Sequence, residues 1–169
     1  MTHKAAKPIP EGFHAVTPHI VLDSAAKAIE FYKKAFGAEE HSRFEMGGKI
    51  VHAEIRISDG MVMLSDEMPP MPGTVGTIKS PKSVGLATAA LMLYVKDADM
   101  WFERAVKAGC TVRMPIQDMF WGDRYGQVID PFGHTWAIAT HIEDVSKEEM
   151  ARRQQAMMAQ MAKQSGQKS

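Results

Sequence analysis

Tyr125-Gly126-Gln127-Val128-Ile129-Asp130-Pro131-Phe132-Gly133-His134-Thr135-Trp136-Ala137-Ile138-Ala139-Thr140 reads as strand, tight turn, strand. In Asp130-Pro131-Phe132-Gly133 the proline presets φ near about −65° and the glycine closes the turn. After it, Trp136 and Ile138 alternate with Thr135, Ala137 and Ala139, the period of two of a half-buried strand. Asp59-Gly60 lies between two other alternating runs and signals a second hairpin. The two turns are in step. Gly60 and Gly133 stand 73 positions apart, and so do His19 and Met92, and Glu30 and Glu103. Internal repetition outranks any local motif as a fold signal. The chain therefore divides into two copies of one unit, each reading strand, helix, three strands.

The first copy covers about residues 16–66 of a single domain at 16–141. A strand at 16–22 sets Ile20 and Leu22 on one side, His19 and Val21 on the other. Asp23 or Ser24 caps a helix to about Phe36, with the apolar stripe Ala25, Ile29, Tyr32 and Phe36, and Gly37 ends it. Strands follow at 39–45, 51–58 and 61–66. In the third strand of this copy Val51, Ala53, Ile55 and Ile57 share one face, and His52, Glu54 and Arg56 the other. The apolar side belongs against a helix, so the polar set faces solvent, a cavity or a partner. Residues 67–88 show no periodicity and read as a linker or mobile flap. The second copy, about 89–141, repeats the pattern. Its strand at 90–95 precedes a helix capped by Asp97, with Phe102, Ala105 and Val106 buried together with Ala98 or Trp101. Strands at 111–116, 125–129 and 135–140 complete it.

Outside the domain, residues 1–15 read as a loosely held tail. In the segment 142–163, Ser146-Lys147-Glu148-Glu149 is a capping box that opens a helix to about 163. Met150, Met157 and Met161 fall near one another on it, an adaptable apolar surface for a partner subunit or for the domain itself. Residues 164–169 are expected to be disordered.

Composition narrows the function. The chain has 169 residues, 45% hydrophobic, enough for one domain with a true core. Twenty basic and 20 acidic side chains leave no net charge, which argues against a general nucleic-acid or anionic-membrane role, where phosphates demand a basic excess. No apolar run approaches the roughly 20 residues of a membrane span. The first residues have no apolar region after them, so no signal peptide is expected. The single cysteine, Cys110, supports neither an internal disulfide nor a cysteine zinc site and fits a reducing cytoplasm.

Two βαβββ units in tandem, an α+β architecture, resemble the vicinal oxygen chelate superfamily: glyoxalase I, extradiol dioxygenases, fosfomycin-resistance proteins and bleomycin-binding proteins. The strings that carry the resemblance run from Ile29-Glu30-Phe31-Tyr32-Lys33-Lys34-Ala35-Phe36-Gly37-Ala38-Glu39 through Val51-His52-Ala53-Glu54-Ile55 and Met63-Leu64-Ser65-Asp66-Glu67. Phe120-Trp121-Gly122-Asp123-Arg124-Tyr125-Gly126 and Asp130-Pro131-Phe132-Gly133-His134 complete them. Within the superfamily the chain looks most like the PhnB-like, glyoxalase-related branch. The resemblance implies half-open cups of sheet, a small-molecule ligand and a homodimer, with cups often shared between subunits. It also implies metal ligands on the first and last strands of each unit. Tested one by one, those positions hold His19, Leu64 or Ser65, Met92 and Ala137. Only one is a usual ligand, whereas a Lewis-acid site needs about three. No cofactor is therefore expected at the inherited site.

Other residues remain candidates. His52 and Glu54 share a face and, if the strands are neighbours, reach toward His19. That His, His, carboxylate set is an alternative divalent-metal site, and His19 or Glu54 is the candidate general base. Trp121, Asp123, Arg124 and Tyr125 are expected at the rim of a cup, Arg124 clamping an anion and the aromatics stacking on a ligand. The competing reading is an Asp123–Arg124 pair with aromatics covering the sheet. His134 is expected exposed in its turn, and His141 as a surface residue. Three functions stay open: a small-molecule binder, or an enzyme of unknown reaction, without the inherited metal; a metal-dependent glyoxalase-type lyase or isomerase using His19, His52 and Glu54; and a drug-sequestering protein.

Overall fold

The computed structural model of the protein describes residues 7–70 and 72–166. In chain order the elements are β1 (His19–Leu22), α1 (Ala25–Phe36), β2 (Glu39–Met46), β3 (Lys49–Ile57), β4 (Gly60–Asp66), α2 (Pro81–Val84) and β5 (Ala90–Tyr94), followed by α3 (Ala98–Ala108), β6 (Thr111–Asp118), β7 (Asp123–Ile129), β8 (Thr135–His141) and α4 (Lys147–Gly166). The two units form two four-stranded mixed sheets, ordered β1-β4-β3-β2 and β5-β8-β7-β6. In each, the unit's first strand pairs parallel to its last, and the other pairs are antiparallel. The α+β repeat expected from the 73-residue offset is the fold observed.

Alternation decides which face each strand buries. Ile20, Leu22, Ala53, Ile55, Ile57 and Leu64 turn to one side of the first sheet and are buried. α1 meets them with Ala25, Ala28, Ile29, Tyr32, Ala35 and Phe36. α3 buries Ala98, Phe102 and Ala105. The two helices pack on each other, so one apolar core serves both sheets. Tyr32, Phe36 and Trp136 are fully buried in it, each worth about 1.5–3 kcal/mol of apolar transfer. β7 runs so close to α3 that a Cβ on Gly126 would stand 2.7 Å from Phe102 Cε2 and 3.0 Å from Ile116 Cα. Only glycine lets that helix seat.

Two buried carboxylates tie distant segments together. Asp130 Oδ1 accepts the backbone N–H groups of Phe132 and His134. Its Oδ2 accepts Tyr32 Oη–H and Trp136 Nε1–H, each at 2.8 Å. The turn of the second unit thus holds the helix of the first. Asp66 does the same within the first unit, accepting Ala25 N–H and Ile50 N–H, each at 2.7 Å. Asp66 is therefore the cap of α1. Ser24 occupies the N-cap position but makes no side-chain cap bond, and Asp23 pairs with Lys82 at 3.0 Å. The expected local cap is replaced by one from β4.

Other boundaries also moved. β1 begins at His19 because Pro18 has no N–H for a ladder; its carbonyl accepts Met63 N–H instead. The linker carries a turn of helix, α2, with Pro81 at its start and Ser80 as the cap, Oγ accepting Ser83 N–H at 3.2 Å. The linker folds back on its own first residue, Glu67, whose carboxylate accepts Ser80 N–H, Ser80 Oγ–H and Lys79 Nζ–H. β7 starts at Asp123, two residues earlier than its periodicity suggested. α4 begins with the expected cap, Glu149 N–H to Ser146 Oγ at 3.2 Å, and continues through Gly166, past the expected end at 163. Met150, Arg153 and Met157 make its half-buried stripe. The expected tail residues 1–6 and 167–169, Met71 and the Met161 side chain lie outside the described residues.

Candidate functional site

The face of the first sheet turned away from the helices is polar, and strand register assembles it. His19 on β1 pairs with Met63 on β4, Met63 with Glu54 on β3, and Glu54 with Ser42 on β2. Side chains on that row, and those two positions along each strand, share one face. His19 Nε2 lies 3.2 Å from Ser65 Oγ. His52 Nε2 lies 3.2 Å from Glu54 Oε1, and Ser42 donates to Glu54 Oε2 at 2.8 Å. The His19 and His52 rings meet edge to face, centroids 6.1 Å apart. Partial desolvation, and then the neighbouring His52, lower the His19 pKa. Burial raises the Glu54 carboxyl, but hydrogen bonds from Ser42 and His52 outweigh it and hold it below the usual range. The Glu54 side chain is only 19% exposed. It lines a groove of about 830 Å³ whose other wall is the N-terminal segment, including Phe13 and His14.

The equivalent face of the second sheet is built differently. Met92 on β5 pairs with Ala137 on β8, and Ala137 with Gln127 on β7. Gln127 donates to Tyr125 Oη. Asp123 is the polar centre. Its Oδ2 accepts Tyr94 Oη–H at 2.9 Å and Trp121 Nε1–H at 3.0 Å, and its Oδ1 lies 2.8 Å from His141 Nδ1. Burial raises this carboxyl, but bonds from His141, Tyr94 and Trp121 prevail and keep it low. Asp144 and Asp123 together raise the His141 pKa. Trp121 stands edge to face with Tyr125 at 5.6 Å. Tyr94, at 59%, and Met92, at 42%, are exposed beside them. A glycine permits this corner. Gly122 sits at φ 97°, and a Cβ there would lie 2.1 Å from the Glu143 carbonyl oxygen.

Of the residues expected at the rim, Trp121, Asp123 and Tyr125 are brought together and Arg124 is not. β7 includes all three strand positions, so Arg124 points to the helix side. It donates to both Asp99 oxygens, at 2.9 and 2.7 Å, and to Asp118 at 3.1 Å. Its guanidinium is a brace on α3 rather than an anion clamp. The Asp123–Arg124 pair of the competing reading is equally absent. Sequence reading misplaced one histidine. His134, expected exposed, is buried, its Nε2 3.1 Å from the Val21 carbonyl oxygen. His141 is at the surface, as expected, and from there pairs with Asp123. Tyr94 was missed too, though its alternation with Met92 places both on one face. Cys110 is buried, and burial, then Asp130, push its thiol up to about 12, which disfavours the thiolate.

A cavity of about 600 Å³ opens between β1 and β5. His19 and Met92, the two first-strand positions of the repeat, both line it. Val21, Met61, Leu91 and Trp136 make much of its wall, and the linker contributes Ile78 and Lys79.

The four inherited metal-ligand positions can now be placed. His19 is on the polar face and Ser65 stands beside it. Leu64 is buried toward α1 whereas Ser65 touches His19, so the contact favours Ser65 over Leu64, although the register that pairs Met92 with Ala137 pairs His19 with Met63. Met92 and Ala137 are neighbours across β5 and β8. One imidazole, a hydroxyl, a thioether and a methyl do not fit a divalent ion. His19, His52 and Glu54 share a face without converging on a point. Among the described residues no three His, Cys, Asp or Glu side chains are grouped to hold a metal ion.

Comparison with known proteins identifies the family and the fold. A family model described as the glyoxalase/bleomycin resistance protein/dioxygenase superfamily matches residues 12–138. The chain is 44% identical over 147 residues to an uncharacterized protein of Mycobacterium tuberculosis, covering 86% of this chain and 84% of that one. Among solved structures it is similar to TioX of Micromonospora sp. ML1, with TM-score 0.61 and 26% identity over 76% of this chain and 99% of that chain. It shares its fold with the fosfomycin resistance protein FosX of Mesorhizobium loti, with TM-score 0.52 and 15% identity over 82% of this chain and 97% of that chain.

Proposed function

The chain belongs to the glyoxalase/bleomycin resistance protein/dioxygenase superfamily, and from that premise we propose that it binds a small organic molecule in the cavity between β1 and β5. The cavity itself carries this reading. At about 600 Å³, with largely apolar walls and a few polar groups, it has the size and lining of small-molecule sites. Its position also supports the reading, since the repeat brings its two first strands to one space. The ligand is held without a metal at the inherited positions, whose side chains do not supply the donors. The polar group facing the ligand at the inherited first position is His19, which Ser65 orients.

Ligand-observed magnetic resonance of a fragment library tests the proposal. Ala89 lines the cavity from an exposed position, so Ala89→Trp fills it with little risk to the core. Fragments that bind the wild type and are lost in that variant support the reading. A library without binders, or binders indifferent to Ala89→Trp, overturns it.

We propose also that two copies associate. Phe44, Met46, Met92 and Tyr94 are large and exposed on the sheets, between 42% and 59%. Such apolar surface on strands marks association sites, and a twofold pair covers them on both copies. Sedimentation equilibrium at about 1–100 µM is the check; a monomer throughout that range refutes it.

A further inference from the structure

We infer that the molecule held between β1 and β5 is an uncharged, largely apolar compound with one hydrogen-bonding group that meets His19, and that anionic and cationic analogues are rejected. This deepens the proposed binding function and rests on it.

The inference follows from the charges on the cavity wall. Among the described residues that line it, Lys79 alone carries a full charge at neutral pH by its chemistry. That charge is already answered, with Lys79 Nζ 3.1 Å from Glu67 Oε2. Glu67 is itself held deprotonated by Ser83, Ser80 and Lys79, its carboxyl lowered to about 2. No acidic or guanidinium side chain lines the wall. His134 spends Nε2 on the Val21 carbonyl oxygen, and Trp136 spends its indole N–H on Asp130. His19 is an exposed side chain at the start of β1, and partial desolvation and His52 disfavour its protonated form. A charged ligand would leave water for a site that offers no counter-charge, and that transfer is costly. A neutral ligand loses only apolar hydration and keeps one hydrogen bond. Most other wall side chains, such as Val21, Met61, Ile78 and Leu91, are apolar.

Three probes of one shape test it: 2-naphthol, 2-naphthoate and 2-naphthylmethylammonium, titrated at about pH 8 against the full chain. Binding is read from the Trp136 indole and His19 imidazole resonances. The expected result is 2-naphthol binding at least tenfold more tightly than either ion. Either ion binding as tightly as 2-naphthol overturns the inference while leaving the cavity as a binding site. If none of the three moves these resonances, the binding site itself is refuted along with the inference. Glu67→Gln removes the counter-charge of Lys79 and should narrow the gap between 2-naphthol and 2-naphthoate severalfold. An unchanged gap in that variant overturns the role given to the Glu67–Lys79 pair.

Discussion

The first sheet presents His19, His52 and Glu54 where the second sheet, at the same offset of 73, presents Met92, Tyr125 and Gln127. Register confirms the equivalence. Glu54 reaches His19 through Met63, and Gln127 reaches Met92 through Ala137, by the same sequence of strand pairings. Each set keeps an internal contact, His52 with Glu54 and Gln127 with Tyr125. The backbone of a repeat thus holds positions, while the side chains on them diverge. At these three positions the first half carries two imidazoles and a carboxylate and the second a thioether, a phenol and an amide. The second half's own titrating pair, Asp123 and His141, lies farther along its sheet. The core divides in the opposite sense. Asp130 and Trp136, which fasten the two halves, both come from the second.

Asp130→Ala should expose that asymmetry most strongly. Four donors lose their acceptor in the interior, and the expected loss is about 3–5 kcal/mol by urea denaturation. Asp130→Asn, which keeps acceptor capacity, should lose less. Asp59 sits in the corresponding turn of the first half and is exposed; Asp59→Ala should stay within about 0.5 kcal/mol. Equal losses at the two turns would break the comparison.

The two halves should also titrate in opposite directions. Magnetic resonance titration should place His19 below, and His141 above, the ordinary imidazole value of about 6.5. Asp144 and then Asp123 favour the His141 imidazolium in the folded state. Its contribution to stability is therefore complete below the unfolded value and is lost as pH rises through the folded one. For His19 the folded value is the lower. Folding disfavours its proton, so stability falls as pH drops from about 6.5 through the folded value. His52→Gln removes one cause and should raise the His19 midpoint while leaving burial in place. Asp123→Asn should lower the His141 midpoint without moving that of His19. A shift at both histidines in either variant would show that the two faces are electrostatically coupled.

Much of this was legible because alternation and repetition are local signals. Val51 to Ile57 displays its two faces in the sequence itself, and His19, His52 and Glu54 do share one. What stayed hidden depends on long-range partners. Asp66 caps a helix 41 residues away, and Tyr32 finds Asp130 at a separation of 98. His134 reaches Val21 at 113. No window on the chain contains both members of such a pair. Arg124 was a different kind of miss. Its neighbours suggested a loop, where any side chain is free to face a ligand. Once the strand begins at Asp123, the parity that puts Asp123 and Tyr125 on one face puts Arg124 on the other.

That parity yields the smallest expected effect, and the most selective. Arg124 grips Asp99 with two parallel bonds and adds Asp118, yet all three groups are partly or largely solvent-exposed. An exposed pair of this kind contributes about 0.2–1 kcal/mol, and lysine cannot reproduce the fork. Arg124→Lys should therefore cost under about 1 kcal/mol, by an amount that shrinks as salt rises. Because the guanidinium braces α3 from the helix side, affinity for cavity ligands should be unchanged. Asp123→Asn, one residue earlier, should by contrast disturb Tyr94, Trp121 and His141 together, visible as altered tryptophan fluorescence. If Arg124→Lys instead weakened ligand binding as strongly as it weakened stability, the strand parity that separates the two faces of the second sheet would be wrong.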